Sequence, residues 1–115
     1  MSWRLKRTAQ CRKCPWLKSV DPRDIPNGYD VAKHLALAST IAVPGDVSLV
    51  SRPLRVMACH EEHEAHCIGW IHNQANAGNN IPLRLALSTC ANAGAIKLRG
   101  EQHETFAATL PRGAP

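Results

Sequence analysis

The sequence predicts a small single α+β domain, with two to three helices against a short sheet, stapled by a structural zinc site. Three observations carry this. The chain has 115 residues, 44% of them hydrophobic and few aromatic, which allows one domain with a modest core. Its cysteines and histidines fall into two separated groups, Cys11-x-x-Cys14 and Cys59-His60 followed by Cys67. Segments of helical periodicity also alternate with short segments of period two. A core this small gains from a metal or disulfide staple.

The elements follow in chain order. Residues 1–10 form a basic N-terminal arm, 11–110 the zinc-stapled domain and 111–115 a disordered tail. Cys11 to Pro15 reads as a knuckle, because Pro15 disfavours a helix through it. Asp21-Pro22 and Pro26-Asn27-Gly28 are turn chemistry. A helix is predicted over 30–39, with Asp30 as its N-cap and Val31, Leu35 and Ala38 at helical spacing. Residues 47–50 and 54–58 read as two short strands separated by Ser51-Arg52-Pro53. A second helix is predicted from about residue 61 to 74, its acidic first turn suiting the helix dipole. A third follows Asn80, with Pro82 near its start, and ends near residues 92–94. A strand over 95–99 and a weak helix over 101–110 complete the pattern.

Charge placement matters more than the net +5. Arg4, Lys6, Arg7, Arg12, Lys13 and Lys18 stand in the first 18 residues with no acid among them, while the remainder carries eight basic and nine acidic residues. Such an arm suits nucleic-acid phosphates or an acidic protein surface. Trp3, within it, is the aromatic candidate for a partner contact. Trp16 and Trp70 are expected to pack over the metal site instead. No apolar run approaches the ~18 residues of a membrane span. The charged N-terminus lacks the apolar stretch of a secretory signal. The expected compartment is therefore the cytoplasm of a bacterial host cell, where the five cysteines stay reduced.

The ligand set predicted for zinc is Cys11, Cys14, His60 and Cys67, with Cys59 as the alternative to His60. Zinc takes four soft or borderline ligands, and a CxxC pair is a common half of such a site. Cys59 and His60 are adjacent on an extended segment, so their side chains point opposite ways and only one ligates. An iron–sulfur cluster on the four cysteines is the alternative cofactor. His63 and His66 are read as solvent-exposed, and Cys90 as a buried core thiol.

The catalytic patterns fail on order or spacing. His60-Glu61-Glu62 is an H-x-E, but the CxxC precedes it and no proline leads into it, unlike the zinc deaminases. His60 to His63 and His63 to His66 are each one residue short of H-E-x-x-H. There is no P-loop and no dinucleotide fingerprint.

The combination Cys11-x-x-Cys14-Pro15-Trp16, Met57-Ala58-Cys59-His60, Cys67-Ile68-Gly69-Trp70 and Leu83-Arg84-Leu85-Ala86-Leu87 resembles a family of small phage, prophage and actinobacterial proteins without an assigned activity. The resemblance spans about residues 11–88. It implies a mobile-element context and a shared set of Cys11, Cys14, His60 and Cys67, with Cys59 also shared. The expected function is non-enzymatic: a zinc-binding phage accessory protein that binds nucleic acid, or a complex handling it, through the basic arm. The alternatives are an inhibitor of a host protein, such as a CRISPR complex or a transcription factor, and a metal-dependent hydrolase.

Overall fold

A computed structural model describes residues 3–25, 29–48, 54–60, 62 and 64–111. Its regular structure is three short helices, α1 (Val31–Ala36), α2 (Ile68–Ala75) and α3 (Ile81–Leu87), joined by loops and single 3-10 turns. No β-strand occurs among the described residues, so the expected α+β class is wrong. Extended segments meet only at isolated bridges: Trp3 with Cys90 and Ala9 with Lys97 in parallel, Leu17 with Gln102 and Ala58 with His66 antiparallel. Nor do three Cys, His, Asp or Glu side chains among the described residues form a finished metal-binding group, so the zinc staple written into that class is not found.

The physical reason differs by segment. Over 54–58 the alternation breaks at Met57, which is buried while Ala58 is exposed, and the chain turns back at once. Cys67 donates its backbone N–H to Met57 O at 2.8 Å and Cys59 donates to Ala65 O at 2.8 Å, which makes one narrow loop and no ladder. Period-two alternation reports which side is buried and says nothing of a partner strand. The segment expected as a strand over 95–99 opens as a 3-10 turn, Ala93–Ala95, and then pairs at Lys97 alone. Residues 47–48 sit in a turn, and 49–50 lie outside the described residues. The weak helix expected over 101–110 reduces to a 3-10 turn, Ala107–Thr109.

The helices follow their caps. Asp30 Oδ1 accepts the N–H groups of Ala32 at 2.8 Å and Lys33 at 3.4 Å, which starts α1 where expected. The chain then tightens into a 3-10 turn, Leu37–Thr40. Asn80 Oδ1 accepts Leu83 N–H at 3.1 Å and starts α3 with proline in its first turn. The second helix begins later than expected, at Ile68, because Glu64 adopts a left-handed backbone (φ 62°) inside the loop. No helix among the described residues is long and apolar enough to cross a membrane.

Leu5, Cys11, Cys14, Trp16, Leu17, Met57, Cys67, Ile68, Trp70, Ile71 and Leu83 form the core. Trp16 and Trp70 are both fully buried, so neither is available to stack a base. Losing either is expected to cost about 3–5 kcal/mol. Trp70 Nε1 donates to Thr40 O at 3.2 Å and ties α2 to the end of α1's 3-10 extension. A buried amide, Gln74, accepts from Ala42 N–H at 3.0 Å and Asn80 Nδ2 at 3.2 Å, linking α2 to both flanking loops.

The N-terminal segment is no free arm. Leu5 is buried, and Asn92 clasps its backbone, accepting Leu5 N–H at 2.7 Å and donating to Leu5 O at 3.0 Å. Trp3 Nε1 donates to Ala86 O at 2.8 Å. Lys97 N–H to Thr8 O at 2.9 Å and Gln10 N–H to Lys97 O at 2.8 Å continue the docking. Residues 3–10 thus run beside 90–97 in the same direction.

His34 is buried in α1 and held by Tyr29 and Thr109. Burial lowers its pKa below the ordinary 6.5. The unfolded chain therefore binds more protons below that pH, and stability falls as pH drops through the unfolded value. The urea midpoint is expected to fall between pH 7.5 and about 5.5, and His34→Gln is expected to make that fall shallower. An unchanged slope in the variant would remove His34 as its source.

Candidate metal centre and basic face

The knuckle is a tight turn: Cys14 N–H donates to Cys11 O at 3.3 Å, and Leu17 N–H to Cys14 O at 3.1 Å. Cys11 and Cys14 are buried. Cys67 is the N-cap residue of α2, with an extended backbone and no side-chain cap bond. This leaves its sulfur to face the knuckle. The Cys14 and Cys67 sulfurs lie 3.9 Å apart. Cys11 Sγ lies 3.8 Å from each ring nitrogen of His60. The side chains thus meet in two pairs, His60 with Cys11 and Cys14 with Cys67, and the knuckle turn brings the pairs side by side.

Electrostatics in the cluster are uneven. Hydrogen bonds from Cys11 and then Cys67 hold the Cys14 thiol far below its usual range, against the opposing effect of burial. The Cys67 thiol is pushed well up, first by its bond to Cys14 and then by burial. One thiolate is favoured here, and further negative charge is opposed. A cation among these sulfurs would lift that opposition, since a metal ligates the thiolate. The donor chemistry fits zinc: three thiols and one imidazole. Of the separations, the 3.9 Å between the Cys14 and Cys67 sulfurs matches the roughly 3.8 Å that bonds of about 2.3 Å would give two tetrahedral sulfurs, but the four side chains are not drawn together as one group. His60 presents both nitrogens equally to Cys11, so its ring would have to turn for one of them to ligate.

Cys59 is partly buried and packs against the core. Its N–H donates to Ala65 O, and the chain carries His60 forward to Cys11. Cys90, also partly buried, donates its S–H to Asn92 Oδ1 at 3.4 Å. His66 is half-buried, edge-on to Trp3 with centroids 6.4 Å apart. His63 lies outside the described residues.

Arg4, Lys6, Arg12, Lys13 and Lys18 are exposed, while Trp3 and Arg7 are half-buried. Arg7 Nε donates to Ala9 O at 2.6 Å. Lys18 Nζ stands 4.0 Å from Glu101, an exposed pair of little energetic weight. The parallel docking adds two cations that the sequence reading missed. Lys97 pairs with Ala9, and Arg99 Nε donates to Gln10 O at 2.5 Å. Both are exposed, and residues 97–100 contain no acid. The signal was long-range, some 88 residues apart in the chain, and no local pattern carries it. No protein-family model, curated protein or solved structure matches this chain.

Proposed function

We propose that this is a non-enzymatic, zinc-binding domain that binds nucleic acid through its basic surface. The observation that carries the reading is the docking of the acid-free segment 3–10 against Lys97 and Arg99. It gathers cations from both ends of the chain on a backbone fixed by hydrogen bonds. Fixed cations lose less entropy on meeting phosphates than cations on a loose tail. Cys11, Cys14, Cys67 and His60 would hold the zinc, and zinc would supply the positive charge that keeps three buried thiols together as thiolates. It would therefore fix the knuckle from which Arg12 and Lys13 project. The phage and host context rests on the family resemblance alone.

Fluorescence anisotropy with single-stranded DNA, duplex DNA and RNA, across a salt series, tests the nucleic-acid reading. Binding is expected to weaken with salt for every sequence. The double variant Lys13→Ala/Lys97→Ala is expected to weaken it evenly and to reduce the log–log salt slope by about two. Absence of binding to all three polymers at low salt overturns the proposal.

A further inference from the structure

We infer that the cavity beside α1 is a binding site for a small uncharged aromatic molecule carrying one hydrogen-bond donor. The cavity measures about 260 Å³. Pro15, Ile25, Leu37, Met57 and Ala58 give it apolar lining, Tyr29 and His34 add polar groups, and His60 and Cys67 of the thiol cluster border it as well. Its size sets the class. An apolar cavity of about 150 Å³ takes benzene, and drug-sized ligands need roughly 300 Å³ or more. One ring with a substituent, or two fused rings, lies between.

Charge and hydrogen bonding narrow the choice. Asp30 and Lys33 border the cavity, one of each sign, and the Asp30 carboxylate is held by the N–H groups it caps. This balance favours no net charge on the ligand. The direction of the hydrogen bonds follows from Thr109. Its hydroxyl donates to Phe106 O at 2.6 Å, so it accepts from His34 Nε2–H at 3.1 Å. His34 Nδ1 then accepts the Tyr29 hydroxyl hydrogen at 2.6 Å. Tyr29 has spent its hydrogen, and its oxygen offers only lone pairs to the cavity. A ligand N–H or O–H meets them favourably, whereas a ligand acceptor placed against the Tyr29 oxygen is repelled.

Indole and benzofuran separate these requirements, since they share a shape and only indole carries an N–H. In an NMR amide titration of the protein as purified, indole is expected to saturate with a Kd of about 0.1–1 mM. Its shifts should concentrate at residues 29–37 and 57–60. Benzofuran is expected to bind about 3- to 10-fold more weakly, the worth of one hydrogen bond, and benzoate more weakly than indole. Tyr29→Phe is expected to bring indole and benzofuran to equal affinity. Because that ratio is taken within one protein, any general loosening of the variant cancels. Leu37→Trp, which fills the cavity, is expected to abolish binding of both. Unsaturable shifts, shifts centred elsewhere, or equal affinities in the parent protein would each overturn the assignment.

Discussion

Gly69→Ala is expected to destabilise the domain by about 3 kcal/mol or more. Gly69 is the second residue of α2, where alanine would ordinarily help by about 1 kcal/mol. Here a methyl group would stand 2.6 Å from Trp16 Cβ, 2.7 Å from Cys14 Sγ and 2.9 Å from Gln10 Nε2. All three neighbours are fully buried, Cys14 in the knuckle and Gln10 and Trp16 flanking it, so none can yield without shifting its surroundings. Overpacking a well-packed core costs about 1–3 kcal/mol and occasionally more, and contact with three buried neighbours places this site at the upper end. Against a total stability of about 5–15 kcal/mol, the loss is a large fraction. Thermal melts should show a fall of at least about 10 °C. Gly94→Ala is the control, since a methyl group there would meet nothing within 4 Å. A parent-like melt for Gly69→Ala would mean that α2 does not press on the knuckle as described.

That glycine shows where the sequence is readable and where it stops. Cys67-Ile68-Gly69-Trp70 stands out as a motif, and the roles of Cys67 and Trp70 can be argued from thiol chemistry and apolar bulk. Gly69 reads locally as a weak helix former. Its purpose depends on a contact with residues more than fifty positions away. The caps at Asp30 and Asn80 were legible because a cap acts within three residues. The strands were misread because pairing is a long-range choice that alternation alone does not make. The N-terminal arm carried a usable signal that charge obscured. Trp3 and Leu5 alternate with Arg4 and Lys6, the pattern of a segment with one face down, and the structure buries Leu5 and half-buries Trp3.

On the proposed zinc reading, Cys67→Ser is expected to abolish both zinc binding and cooperative folding, and it separates a metal ligand from an ordinary core thiol. As a plain buried thiol, Cys67 would lose about 1–3 kcal/mol on replacement by a hydroxyl that lacks a good partner. As a zinc ligand it would lose far more, because structural zinc contributes on the order of 10 kcal/mol to folding. Cys90→Ala gives the scale for an unligated thiol: about 1–2 kcal/mol, with the metal content unchanged. Elemental analysis of protein purified without added metal should find one zinc per chain. The same measurement on Cys67→Ser should find none, and a strong chelator should lower the parent's melting temperature toward that of the variant. Colour or bound iron would overturn zinc in favour of an iron–sulfur cluster. A Cys67→Ser protein that folds as stably as Cys90→Ala would leave Cys11, Cys14 and Cys67 as core thiols. The 3.9 Å approach of Cys14 to Cys67 would then be a hydrogen bond between them and nothing more.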